Sequence, residues 1–357
     1  MADYRLISAD SHVNEPPEMF GERLPVSLRP RAPHVEVVDG AESLIVEGMR
    51  PRKLPAGRVA LAGEALERAQ AGGWDPALRM RDQDRDGVSG EVVFPTLALQ
   101  ACFSTPDPAF QMAMARAYND WVAEVFTPHR ARFAPAAVVP MADVPAGCAE
   151  AERAAQRGLR ALFLPCQVAG RPYNDPTYDR FWAVAEATGL PLTFHAGTGH
   201  EPRIERGPGG AVINYILGSQ ADGPHVVCYL TMSGMLERFP RLQIVTVETG
   251  SAWLAWVATS MDEIYERHHM WARPKLTLRP SDYVRRQAHV TFQNDPVGVH
   301  NRHFTGVEAL LWGSDYPHPE GTWPHSRSAV AAQLAGVPEE EARQIAGETA
   351  ARLFGFA

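Results

Sequence analysis

The chain has 357 residues, 45% of them hydrophobic, 21% charged and 9% aromatic, with a formal charge of −8. Such a composition excludes a mainly disordered chain, and the acidic balance argues against a general binder of nucleic acid or of anionic membranes. Without a charge-free apolar window of about 18 residues no spanning helix is expected, and because Met1–Arg5 leads straight into a polar strand no secretory leader is expected either.

Arg5–Asp10 reads as the first strand. Gly21–Gly73 then breaks the pattern: it is rich in Pro, Arg and Gly, and its strand-like pieces His34–Val38 and Ser43–Val46 suggest a small hairpin. It is read as an insertion after strand one that caps a site, makes a subunit contact or serves as a structural flap. The basic runs Arg29–Arg31 and Arg50–Lys53 within it are solvated loops, being short and mixed with proline. Strands two to four are expected at Glu91–Pro95, Ala134–Val139 and Ala161–Leu164. Between them, Phe110–Phe126 and Val144–Arg157 show the three- and four-residue apolar spacing of helices. Asp175–Thr188 opens with an Asp cap and a Pro at the first helical position. Strands five to eight are Leu190–His195, Leu242–Glu248, His289–Phe292 and Ala309–Gly313, with helices at Ala252–His268 and Pro338–Phe354.

Strands apolar on both faces suit a parallel sheet covered by helices. Eight of them alternating with helices predict a (β/α)8 TIM barrel, one domain over 1–357 with the segment 21–73 inserted in it. A doubly wound open sheet is the alternative, but its glycine-rich first turn is missing: Asp10-Ser11-His12-Val13 stands there. Cys102, Cys148, Cys166 and Cys228 form no CxxC pair, so buried thiols in a reducing cytoplasm are expected rather than disulfides or a thiolate zinc site.

In a barrel the chemistry lies where the strands end. Strand one ends in Asp10-Ser11-His12, strand five in His195, strand six in Glu248, and strand eight in Gly313-Ser314-Asp315-Tyr316-Pro317-His318, while Gln293-Asn294-Asp295 follows strand seven. Apolar runs that each terminate in an imidazole or a carboxylate are hard to explain as core. Buried carboxylates that converge need a cation. Asp10 and His12, two apart on an extended chain, face the same side, and His195 and Asp315 join them from across the barrel. This nitrogen and oxygen set without thiolate suits Zn²⁺, Mn²⁺ or Fe²⁺ better than Mg²⁺ or Ca²⁺.

Five stretches resemble the amidohydrolase superfamily, in the branch that includes aminocarboxymuconate-semialdehyde decarboxylase. They are Ile7–His12, Leu192–Gly199, Phe239–Glu248, Asn294–Pro296 and Trp312–Pro319, the last being the most specific. The resemblance implies a single catalytic metal held by Asp10, His12, His195 and Asp315. It also implies hydrolysis or decarboxylation of a small carboxylated or cyclic organic substrate through a metal-bound water, and a homodimer. Two departures stand out. Glu248 replaces the usual strand-six histidine, and acts either as general base or as ligand. Leu164-Pro165-Cys166 replaces the carboxylated lysine of two-metal hydrolases, so a second metal would draw on Glu248, Glu15, His200 or His318. The ligand mix also resembles that of a non-heme diiron monooxygenase of this fold from terpenoid antibiotic biosynthesis, an alternative that implies hydroxylation of a natural product. A non-enzymatic barrel predicts lost ligands, and the four are intact.

Other residues carry both a functional and a structural reading. Glu15 and Asp295 are loop formers or partners of the site; His200 lies in a glycine-rich loop after strand five; His318 follows Asp315 by three and suits an outer partner of the ligands. His268 and His269 complement a helix dipole. His225, His289, His300, His303 and His325 are expected to be structural. Trp253, Trp256 and Trp271 are expected in the core or at a subunit interface.

Overall fold

The eight apolar runs form eight strands: β1 (Leu6–Val13), β2 (Val88–Pro95), β3 (Phe133–Val138), β4 (Ala161–Leu164), β5 (Leu192–His195), β6 (Ile244–Val247), β7 (Ala288–Phe292) and β8 (Leu310–Trp312). In this computed structural model, which describes residues 4–16, 18–54, 73–199, 206–268, 270–271 and 273–357, they pair in chain order and every neighbouring pair is parallel. The sheet closes on itself. Ser11 bridges Tyr316 in parallel, the Asp315 N–H donates to Asp10 O at 2.8 Å, and the His12 N–H donates to Tyr316 O at 2.6 Å. An open sheet would leave β1 and β8 as edges, so the doubly wound alternative is excluded.

Helices cover the outside for the reasons their sequences suggest. Pro108–Phe126 starts where Asp107 accepts from the N–H groups of Ala109 and Phe110, with Pro at its first turn. It buries Phe110, Met114, Tyr118, Trp121 and Phe126 along one face, and each such side chain contributes about 1.5–3 kcal/mol. Asp175 caps a single 3₁₀ turn, Pro176–Tyr178, before the helix Asp179–Thr188. The expected helix over Pro338–Phe354 is broken into Glu339–Arg343, a wide turn Gln344–Glu348, and Thr349–Phe354. Gly347 is extended there (φ 175°), because it lies against β1: a Cβ on it would stand 2.3 Å from Arg5 O.

β1 runs to Val13, three residues beyond the expected end, with a register irregularity between Ser8 and Ser11. Asp10 and His12 therefore sit inside a hydrogen-bonded strand rather than on a loop. Under them the Ser8, Ser11 and Ser314 hydroxyls form a buried triangle with edges of 3.0, 3.0 and 3.2 Å that joins β1 to the segment after β8. Arg79, wholly buried, pairs with Glu91 at 2.7 Å and donates to His12 O at 2.6 Å.

In the segment 21–73, the described part carries three short antiparallel strands, His34–Val38, Ala41–Ile45 and Arg52–Lys53. It is tied to the loop after the helix Leu97–Ser104, which follows β2. Ser104 Oγ donates to Glu47 O at 2.6 Å, Thr105 Oγ1 donates to Glu47 Oε1 at 2.7 Å, and Arg31 bridges Glu47 and Asp107. Cys102, Cys148, Cys166 and Cys228 are all unpaired. Among the described residues no helix is long and apolar enough to cross a membrane.

Candidate metal centre

Asp10, His12, His195, Glu248 and Asp315 meet at the ends of β1, β5, β6 and β8. His12 Nε2 lies 3.1 Å from His195 Nε2, 3.6 Å from Asp10 Oδ1, 3.4 Å from Asp315 Oδ1 and 4.0 Å from Glu248 Oε2. His195 Nε2 lies 3.7 Å from Asp10 Oδ1 and 3.4 Å from Glu248 Oε2. All but Glu248 are essentially inaccessible, and Glu248 is 12% exposed. Donor atoms that each stand about 2 Å from one ion are spaced in this way.

The tautomers follow from the partners. His12 Nδ1 is 2.8 Å from Pro95 O, and His195 Nδ1 is 3.0 Å from Ala196 O. A carbonyl only accepts, so each Nδ1 carries the hydrogen and each neutral ring turns a bare Nε2 lone pair inward. Two lone pairs facing at 3.1 Å repel unless a cation stands between or beside them. Asp10 Oδ1 and Asp315 Oδ2 are buried without a hydrogen-bond partner, a costly state for a carboxylate. The residues present therefore fit a divalent cation.

The electrostatics agree. Burial works against the Asp10 charge, but the His12 and His195 imidazoles beside it overcome that and hold the carboxyl well below the usual range. Burial also opposes protonation of His195, yet the Asp10 and Glu248 carboxylates push it up to about 9. Burial raises Asp315 to about 6 and raises Glu248, and it lowers His12. Without an ion the carboxylates thus draw a proton onto His195, supplying the positive charge that a bound cation would bring in its place.

Glu248 and Asp315 have left-handed backbones (φ 58° and 56°), and the only other non-glycine residue with positive φ among those described is Asp39, in a hairpin turn. Such conformations are unfavourable for side-chain-bearing residues. Here they lie at the two strand ends that turn carboxylates inward, held by the Glu248 N–H on Thr291 Oγ1 at 2.8 Å and the Asp315 N–H on Asp10 O.

Of the second group, His318 joins the centre: its Nδ1 donates to Asp315 Oδ1 at 2.9 Å and its ring stacks on His12 at 4.2 Å. Glu15 and Asp295 are engaged elsewhere. The Glu15 carboxylate accepts from the Leu97 and Ala98 N–H groups at a helix N-terminus. Asp295 accepts from the N–H groups of Ser251, Ala252 and Gly298 and from Ser251 Oγ. Both choose backbone donors that an ion would have to displace, so a second-metal role does not fit either. His200 and His269 lie outside the described residues. His268 ends its helix; His225 stacks on Tyr229; His289 bridges Glu308 O and Gln243 Oε1. Trp253 is pinned by Thr249 O and Gly250 O, whereas Trp256 and Trp271 are 65% and 77% exposed.

Sequence reasoning passed over three groups. The serine triangle lies inside two of the motifs but reads there as filler. Tyr215, whose hydroxyl donates to Glu248 Oε1 at 2.7 Å, sits on a solvent-facing helix with no motif to mark it. Asp222 holds the loop after β5 by accepting from the Gly197 and Gly199 N–H groups at 3.0 and 3.1 Å.

Burial raises Asp222 to about 6. A carboxyl raised in the folded state favours the protonated fold, so its contribution is full below the unfolded value of about 4 and is lost as pH rises through about 6. Replacement of Asp222 by Asn is expected to flatten the fall in stability between pH 4 and 7 by on the order of 1–3 kcal/mol. Urea unfolding of the two proteins at both pH values measures it; an unchanged slope would assign the pH dependence to other groups.

The sequence matches the family described as Amidohydrolase over residues 9–356. The chain belongs to the amidohydrolase family. Its Asp10, His12 and His195, and its His12, Glu248, Asp315 and His318, form two groups that could hold a metal ion. A 2-amino-3-carboxymuconate-6-semialdehyde decarboxylase from Dictyostelium discoideum is 21% identical over 281 residues, 74% of this chain and 72% of the relative. An amidohydrolase from Mycobacterium avium subsp. paratuberculosis K-10 superposes with a TM-score of 0.84 at 21% identity, over 99% of this chain and 100% of the other. A mutant 5-carboxyvanillate decarboxylase from Novosphingobium aromaticivorans DSM 12444, solved with bound manganese, superposes at 0.71 with 17% identity, over 99% and 97%. At these identities the structural likeness is one of fold. These relatives lend no support to the oxygenase alternative.

Proposed function

We propose that this amidohydrolase removes CO₂ from a small carboxylated aromatic acid, with Asp10, His12, His195 and Asp315 holding the metal and Glu248 Oε2 facing it. The observation that carries this reading is the pair of bare imidazole nitrogens 3.1 Å apart, with the unpartnered Asp10 Oδ1 within 3.7 Å of both. The decarboxylases among the relatives favour this reaction over hydrolysis. Manganese in the Novosphingobium structure supports Mn²⁺, and the donor set also suits Zn²⁺ or Fe²⁺.

When bound, the ion supplies Lewis acidity to a substrate oxygen. The protein supplies the proton. In decarboxylation the bond from ring carbon to carboxylate breaks, CO₂ leaves, and the electron pair on the ring carbon takes up a proton. Asp315 is the donor this site offers. His318 Nδ1–H fixes Oδ1, which leaves the otherwise unpartnered Oδ2 as the oxygen that carries the proton. Water then returns a proton to Asp315. His318 and the Ser8–Ser11–Ser314 triangle hold the donor and the β1 ligands in place.

Residues 1–357 act as one barrel domain, with the segment 21–73, inserted after β1, as a flap. Four unpaired cysteines suit a reducing cytoplasm. The exposed Trp256 and Trp271 suit a homodimer contact.

The test is CO₂ release from 5-carboxyvanillate and a set of ring-hydroxylated benzoates by the Mn²⁺-loaded protein. Release that stops on chelation is expected. Hydrolysis of cyclic amides or lactones without CO₂ release from any acid would replace decarboxylation by hydrolysis.

A further inference from the structure

Glu248 stands at the end of β6, and a carboxylate there has a freedom that an imidazole lacks. It can offer a metal one oxygen or two, and it can swing away. In this chain one oxygen is already taken. Tyr215 Oη donates to Glu248 Oε1 at 2.7 Å, and the other oxygen, Oε2, is the one turned toward His195 Nε2 at 3.4 Å and His12 Nε2 at 4.0 Å. These spacings match those among Asp10, His12, His195 and Asp315 themselves. From the other side, the Glu248 N–H on Thr291 Oγ1 fixes the backbone in its left-handed turn. The carboxylate is thus clamped at both ends, by β7 through its main chain and by Tyr215 through its side chain.

Tyr215 reaches the site from the helical segment Gly210–Gln220, which changes from α to wide π turns at Tyr215 itself. A π turn inserts one residue into the helical repeat and re-aims the side chains around it. Tyr215 is 42% exposed, so its position is not demanded by core packing. The Glu248 contact is the polar one that its hydroxyl makes.

We propose that Tyr215 is a positioning residue that confines Glu248 to a single metal-facing oxygen, making Oε2 a fifth donor of the centre. The inference rests on the metal-centre reading above and goes beyond it, since nothing in the metal-centre reading requires Tyr215. Removing an outer hydrogen-bond partner from a metal ligand lowers metal affinity by about 10–100-fold.

The metal alone tests it. Mn²⁺ affinity of the full chain is measured by the electron paramagnetic resonance of free Mn²⁺ for wild type, Tyr215→Phe, Glu248→Ala and the double variant, and the visible spectrum of each Co²⁺-loaded protein reports its donor set. Expected are a Mn²⁺ Kd raised about 10–100-fold in Tyr215→Phe, a Co²⁺ spectrum shifted in the same sense as in Glu248→Ala, and a change below about 2-fold when Tyr215→Phe is added to Glu248→Ala. Tyr215→Phe binding Mn²⁺ within about 2-fold of wild type would overturn the proposal. So would equal weakening in the presence and absence of Glu248, since Tyr215 would then act by another route. A wild-type protein that does not take up Mn²⁺ would sink the metal centre itself and Tyr215's role with it. Tyr215→Phe keeps the ring, so folding is conserved, as circular dichroism will verify.

Discussion

Replacing His195 by alanine is expected to abolish turnover and to weaken divalent-metal binding by more than the 10–100-fold that loss of an outer partner costs. His195 is the one ligand contributed by β5, and its Nε2 is in reach of His12, Asp10 and Glu248. Without it Asp10 and Glu248 lose a neighbouring imidazole nitrogen that helps to hold the cation between them. The fold is expected to survive. The main-chain contacts of His195 do not involve the ring: its backbone pairs with Val247 across the sheet, and its carbonyl accepts from Thr198 Oγ1 at 2.7 Å. Circular dichroism together with a Mn²⁺ titration separates the outcomes. Activity retained in a folded His195→Ala protein would mean the chemistry lies elsewhere.

Asp315→Asn is the second change with a large expected effect. It keeps shape and volume but removes the ionisable proton and a negative charge. His318 Nδ1–H continues to select the amide oxygen, so the new amide donors point to where Oδ2 now stands and repel a cation. A loss of about 10²–10⁴-fold in kcat is expected, the range that general acid catalysis contributes, and saturating metal should not restore it. Steady-state CO₂ release at high Mn²⁺ measures it. Activity within 10-fold of wild type would remove Asp315 as the proton donor.

How far these residues could be read from the sequence depends on the physics that places them. The strands were legible because apolar runs of four to eight residues between turn formers have few alternatives. Asp10 and His12 were legible because a two-residue spacing on a strand leaves both side chains on one face. Closure of the barrel was inferred from strand number, yet its means, the Ser11–Tyr316 bridge and the serine triangle, depend on pairing between residues some 300 positions apart. The inward turn of Glu248 and Asp315 depends on left-handed backbones that no residue type at those positions announces. Glu15 and Asp295 look like ligands in the sequence because a carboxylate that caps a helix and one that binds a metal are the same residue; only the N–H groups facing them decide. Tyr215 was invisible because a π turn that aims a tyrosine at a site leaves no pattern in one sequence.

The account stands on four buried side chains, from the first, fifth and eighth strands, sharing one cation. Elemental analysis of the gently purified protein, beside His195→Ala purified in parallel, tests that most directly. About one divalent ion per chain in the wild type and almost none in the variant is the expected result; a metal-free wild-type protein that binds none when Mn²⁺, Zn²⁺ or Fe²⁺ is supplied, or a variant that keeps its full complement, would contradict it.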